Sequence, residues 1–257
     1  VTIRFRTRAH VFWRCLFLQA AWNRRGMQNL GFAYAIEPAL DALYADPARR
    51  EEALARHLGF FNCHPYMAAA ILGGAIHHEE RVAAGEEPGA APLSYKATLQ
   101  GPLAAVGDGF FWTALRPFFG ALAALGALLA GWPAVVAAVV LYNLVHVGLR
   151  AVLFRAGYRE GDAVVGLISR LALPTMADRL RAAGVALCGA AAAAVALQAG
   201  AVVVGTGTGT AAALVVAAAA GAGYLALAKG APLFPLAYLA ALLGTVAAAL
   251  TGWDGRP

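Results

Sequence analysis

Asp108 is the only carboxylate in "TLQGPLAAVGDGFFW", Thr98 to Trp112, a stretch dominated by small, apolar and aromatic residues. An acid in such company either lines a polar cavity or sits at an interfacial turn, and its residue type fits both. Gly101, Gly107 and Gly109 would let a ligand or a second backbone come close. Asn62 and His64 flank Cys63, just before Pro65, where a preceding helix must stop. Amide and imidazole groups there can satisfy orphan helix carbonyls or bind a ligand rich in hydroxyls. Gln100 offers the same chemistry one residue before Gly101-Pro102. The shared chemistry of Asn62, His64, Gln100 and Asp108 is hydrogen bonding to a polar solute, and no catalytic residue is expected among them.

Other constellations carry less. "HHEE", His77 to Glu80, suggests zinc or iron, but four adjacent positions cannot all point one way on a helix, and no HExxH spacing is present. A solvated helix end is the expectation there. Its competitor is a membrane-embedded metal-dependent hydrolase using His64, His77, His78 and Asp108. Cys15, Cys63 and Cys188 are far apart, without a CxxC pair, which excludes a zinc ribbon or a disulfide framework. There is no P-loop and no GxSxG elbow, and Gly205 to Gly209 reads as a turn. No cofactor and no metal are expected.

The elements that must hold these residues are membrane elements. Of 257 residues, 61% are hydrophobic and 13% charged, about half the charged fraction of a soluble domain. About 20 apolar residues cross the hydrocarbon core. Ala183 to Val204, Ala211 to Ala228 and Ala231 to Gly252 are expected to do so. The uncharged run between Arg116 and Arg150 is too long for one straight crossing and is interrupted by "GWP" at Gly131, so it reads as a kinked span or two half-spans. The basic residues of "VTIRFRTRAHVFWRC", with Arg24 and Arg25, place the N-terminal side in the cytoplasm, and no secretory signal pattern precedes them. Arg155, Arg159, Arg170, Arg179 and Arg181 place a second loop on the same side, which puts the C-terminus outside. The net charge of +6 is therefore read as topology and contact with anionic lipid, not as a nucleic-acid face.

Four regions follow. Residues 1–45 form an interfacial N-terminal region, with a helix spaced on Val11, Cys15, Leu18 and Trp22. Trp22, Asn23 and Gln28 form a patch suited to membrane anchoring or to a partner subunit. Residues 46–161 are a core with broken helices. Asp46 and Pro47 open one helix, which is expected to run to Asn62 with Leu54, Leu58 and Phe61 on its apolar face. "PYMAAAILGG" and "LQGPLAAVGDGFFW" read as half-spans or re-entrant pieces, the kind of interrupted segment that lines a solute path. Residues 162–182 are a basic cytoplasmic connector, and 183–257 are C-terminal transmembrane helices. Trp112, Arg116 and Arg150 read as interfacial residues.

Four segments, "WNRRGMQNLGFAYAIEPAL", "RHLGFFNCHPYMAAAILG", "GPLAAVGDGFFWTALRPFF" and "YNLVHVGLRAVLFRAGYREG", resemble the IID membrane subunit of the mannose/fructose/sorbose-type sugar phosphotransferase system, in that family's order and spacing. The resemblance implies an all-α polytopic protein of the bacterial inner membrane that pairs with a IIC subunit. The pair would bind a hexose and move it inward, by an elevator-like motion in a trimer of heterodimers. Phosphoryl transfer to the sugar would come from cytoplasmic IIB, charged by IIA, and not from this chain. By position in the motifs, Asn62, His64, Gln100 and Asp108 would contact the sugar or support its contacts. A regulatory or scaffold relative that does not transport is the alternative.

Overall fold

The computed structural model describes residues 2–204. The chain divides into two compact units, Val1–Ala191 and Ala192–Pro257, and the first contains every element below except the end of the last helix. The helices are α1 (Phe5–Cys15), α2 (Asn29–Leu43), α3 (Pro47–His57), α4 (Ala68–Ala83), α5 (Ala91–Gly107), α6 (Arg116–Ala130), α7 (Trp132–Glu160), α8 (Val164–Arg170) and α9 (Leu173–Val204). A π-helical segment, Asp108–Leu115, joins α5 to α6, and a 3-10 turn, Gly161–Ala163, joins α7 to α8. Among the described residues the only extended pairings are isolated bridges at Asn23–Met27 and Met27–Phe61, so the described fold is all-α.

Helix α4 is the hub. Every residue from Ala68 to Ile76 is buried, the behaviour expected of a helix that is apolar on all sides. Its neighbours are α2, α5 and above all α7. The α4–α7 contact is made at backbone level: a Cβ at Gly73 would collide with the Phe154 carbonyl, and one at Gly157 with the Ala70 carbonyl. Small residues permit that approach, and no larger side chain fits it.

Helix α3 begins as its sequence dictates, with the Asp46 side chain accepting from the Ala48 N–H at 3.1 Å and Pro47 in the first turn. It ends at His57, five residues before the expected Asn62. The chain turns at Leu58-Gly59 and continues without helix to Pro65, tied down by the Gln28 N–H donating to the Phe61 carbonyl at 2.9 Å. Leu58 consequently leaves the apolar face and is exposed, while Phe61 is fully buried.

The stretch around Asp108 departs further from expectation. It is neither a loop nor a re-entrant break: Ala91–Ala130 is one continuous 40-residue helix that contains Pro102. The distortion is absorbed as π turns from Asp108 to Leu115, where Thr113 Oγ1 donates to the Gly109 carbonyl at 2.7 Å. The interruption at "GWP" is real. Gly131, with φ of 71°, closes α6 and turns the chain so that α7 packs back along it.

Ala91–Ala130 and Trp132–Ala192 are each long and apolar enough to cross a membrane; the second, of 61 residues, includes the 3-10 turn and a left-handed Ala172. The expected span Ala183–Val204 lies within α9. The other two, Ala211–Ala228 and Ala231–Gly252, lie outside the described residues.

Candidate functional site

A cavity of about 400 Å³ opens where the turn after α1, the start of α4, the π segment and α7 meet. Tyr66 and Trp112 give it aromatic walls, and Asn143, His146 and Arg150 give it polar ones. The α7 residues reach it because Asn143, His146, Val147 and Arg150 follow one another at steps of three, one and three residues along one face of the helix. Tyr66 organises the rest. Its ring stacks on His146 at 4.3 Å, its hydroxyl shares a hydrogen bond with Tyr142 at 3.2 Å, and the Arg150 guanidinium lies 5.2 Å from its ring centre.

His64 stands behind this wall, 2% exposed, stacked on Phe111 at 4.9 Å and packed 4.7 Å from Trp112. A Cβ at Gly107 would strike it, so the glycine is what admits the imidazole against the helix. Burial, with the Arg150 cation adding to it, lowers its pKa to about 4, which keeps the ring neutral near pH 7. Its Nδ1 accepts from the Tyr66 N–H at 3.2 Å, so the proton sits on Nε2.

Three nitrogens in this region are buried and unpaired: His64 Nε2, His146 Nδ1 and Arg150 Nε. His146 Nε2 donates to Asn143 Oδ1 at 3.0 Å, which leaves Nδ1 as an acceptor. Arg150 already gives another N–H to the Cys15 carbonyl at 2.6 Å. The unfilled capacity is therefore two donors and one acceptor beside aromatic rings. Buried polar groups in native proteins are nearly always paired, and Asn143, His146 and Arg150 bring such groups to the wall of the cavity. A hydroxyl both donates and accepts, and the apolar face of a ring compound stacks on Trp or Tyr.

The four residues singled out from sequence lie at one junction. The Asn62 N–H donates to Gln100 Oε1 at 3.1 Å, His64 packs against Gly107, and Asp108 is close enough to Cys63 to act on its thiol electrostatically. Only His64 is buried; Asn62 and Asp108 are exposed and Gln100 is half-buried. Of the patch expected at the N-terminal side, Trp22 is exposed, Asn23 holds the turn by accepting from the Arg25 and Gly26 N–H groups, and Gln28 is buried, bracing Cys63 through both its backbone groups.

The sequence reading missed Tyr66, Trp112, Asn143, His146 and Arg150 as cavity residues. The signal for two of the group was present: His146 and Arg150, with Tyr142 one turn earlier on the same face, interrupt an apolar run at helical spacing.

"HHEE" needs a correction. It is not a solvated helix end, because α4 carries it into the interior: Glu79 is fully buried and His78 is 7% exposed. Glu79 accepts from the Tyr44 hydroxyl at 2.6 Å and pairs with His57 Nε2 at 2.9 Å, while Arg56 comes within 3.8 Å. Lys96, also buried, lies 3.4 Å from His57 Nδ1 and 4.1 Å from the centre of the Phe32 ring. Burial lowers the His57 pKa despite its hydrogen bond to Glu79, and burial together with the separate hydroxyl bond of Tyr44 to Glu79 raises the Tyr44 phenol. His77 turns elsewhere, to the Tyr158 carbonyl, and His78 to Glu87. Among the described residues no three His, Cys, Asp or Glu side chains converge on a metal position, so the hydrolase reading has no site.

Comparison with known proteins adds relatives. The family described as PTS system mannose/fructose/sorbose family IID component matches residues 2–219. The mannose-specific EIID component of Escherichia coli (strain K12) is 39% identical over 157 residues, 60% of this chain and 56% of the relative. The fructose permease IID component of Bacillus subtilis (strain 168) is 43% identical over 121 residues, 47% of this chain and 43% of the relative. The chain thus spans about half the length of these curated relatives. A chain in the cryo-EM structure of the mannose transporter ManYZ bound to a microcin superposes with a TM-score of 0.60 at 34% identity, covering 74% of this chain and 70% of the other.

Proposed function

Because the chain belongs to the mannose/fructose/sorbose family of phosphotransferase-system IID components, we propose that it works as a multi-pass inner-membrane subunit of a mannose-type permease. With a IIC partner it binds a hexose and carries it inward, IIB phosphorylates the sugar, IIA recharges IIB, and the IIC/IID pairs assemble as trimers. The observation that carries this reading is the cavity of about 400 Å³ in which the aromatic walls of Tyr66 and Trp112 stand beside Asn143, His146 and Arg150. These are the complements of sugar hydroxyls and of the apolar face of a pyranose. In this reading His146 and Arg150 hold hydroxyls and Trp112 stacks. Asn62, Gln100 and Asp108, at the outer edge of the same junction, contact the sugar as it enters or leaves. Trp22, Asn23 and the surface over Gln28 meet the partner subunit.

Uptake of labelled mannose tests this in cells that lack their own mannose system and supply IIA, IIB and IIC. Removal of this chain abolishes uptake. Trp112→Ala lowers it at least about tenfold, the size of effect expected when stacking in a polar site is lost. Asp108→Asn weakens sugar binding while co-purification with IIC persists. Uptake at the full rate without the chain would leave it a scaffold, and full uptake by Trp112→Ala would remove the cavity from the path.

A further inference from the structure

We propose that the groove between α1 and the end of α7 is a binding site for an anionic phospholipid, its phosphate held by Arg8, Arg155 and Arg159 and its acyl chain laid along α7. The inference requires that the chain sit in a membrane and is independent of sugar transport. The groove encloses about 430 Å³ and is floored by Phe5, Phe12 and Phe154.

Two sets of observations select the occupant. The first is charge. All three guanidinium groups line the groove, no carboxylate does, and among the described residues none of the three makes an ion pair. Arg8 lies 4.8 Å from the centre of the Tyr158 ring, and its Nε is buried without a hydrogen-bond partner. Glu80, which the Tyr158 hydroxyl reaches at 2.7 Å, also accepts from the Ile3 N–H at 2.8 Å and is occupied. Three uncompensated cations around an apolar floor match one phosphodiester attached to hydrocarbon, because arginine forks pair with phosphate oxygens and the floor takes the chain.

The second is depth. At 100° per residue Val140, Leu144, Gly148, Ala151, Arg155 and Arg159 fall on one face of α7, and all of them are exposed. From Leu144 to Arg155 the helix rises roughly 16 Å, about half of the hydrocarbon thickness of a bilayer. An apolar strip one leaflet long therefore ends in two arginines at headgroup height. The basic residues Arg4 and Arg6 beside the groove add to the attraction of the anionic cytoplasmic leaflet.

Native mass spectrometry of the full chain in detergent tests the site, with palmitoyl-oleoyl phosphatidylglycerol, the matching phosphatidylcholine, or inorganic phosphate added. The phosphatidylglycerol adduct should be 1:1 and at least fivefold more abundant than the phosphatidylcholine adduct. The pair Arg155→Gln and Arg159→Gln should erase that preference, and so should Ala151→Trp, which keeps the charges and fills the groove. Arg24→Gln with Arg25→Gln, which lowers charge elsewhere, should not. Equal retention of both lipids by the unaltered chain overturns the proposal, as does a preference that survives in the groove variants. Full displacement of the lipid by millimolar phosphate reduces the site to a simple anion site and also overturns it. The IIC complex is the last arm: loss of the adduct there, with cross-links from position 155 into IIC, assigns the face to the partner instead.

Discussion

Two clusters of buried polar side chains lie on either side of the extended segment after α3, and they are resolved in opposite ways. Around Glu79 the groups answer one another: a phenol, an imidazole and a guanidinium converge on one carboxylate, and a lysine closes the set over an aromatic ring. Around Tyr66 they do not, and His64, His146 and Arg150 each keep a buried nitrogen with no partner. Both clusters are aromatic and carry a cation. One set is complete among protein groups, and the other borders an open cavity. Residue type does not make the distinction, since both clusters contain histidine and tyrosine.

The contrast can be attacked from both ends. Glu79→Ala should have the largest effect: it strands His57, Tyr44, Arg56 and Lys96 together and should cost about 3–5 kcal/mol of stability. Thermal melts of the purified protein should show this as a fall in melting temperature or a loss of folded yield, and an unchanged melt would mean the cluster is not structural. His146→Leu should do the reverse. It removes the Nε2 donation to Asn143 and the stack on Tyr66 but strands no buried charge, so the stability loss should stay within about 2 kcal/mol while mannose uptake falls about tenfold. A variant that melts early and transports normally would exchange the roles given to the two clusters.

The smallest expected effect is a pH dependence. Burial lowers the His57 pKa in the folded state below the ordinary 6.5. The unfolded chain therefore binds the proton first, and the contribution of neutral His57 is complete above pH 6.5 and is lost as pH falls below that value toward the folded pKa. Stability should therefore fall as pH drops from 7 toward 5.5. His57→Gln should flatten the melting temperature between pH 7 and 5.5 relative to the parent, and an identical slope in both proteins would assign the titration to other groups.

Local rules were legible wherever the sequence alone decides the outcome. Asp46-Pro47 starts a helix and Gly131 ends one, because caps and glycine turns need only their neighbours. The readings that depend on packing were not. Pro102 and the glycines near Asp108 looked like a break, yet continued helix with π turns keeps the 40-residue element intact. "HHEE" looked soluble because four polar residues in a row carry no sign of Tyr44 and His57, which arrive from other helices. Asn62, His64, Gln100 and Asp108 lie near one another, but the cavity beside them is built largely from α7, whose Arg150 read as interfacial when taken singly.

The glycine contact between α4 and α7 has a mechanical consequence. With carbonyls lodged where side chains would otherwise be, these two helices have no lubricating layer and cannot slide or roll past each other. Tyr66, at the threshold of one, and His146 and Arg150, on the other, must keep their spacing through any motion of the subunit. Any movement of the subunit must therefore be taken up at surfaces outside that joint.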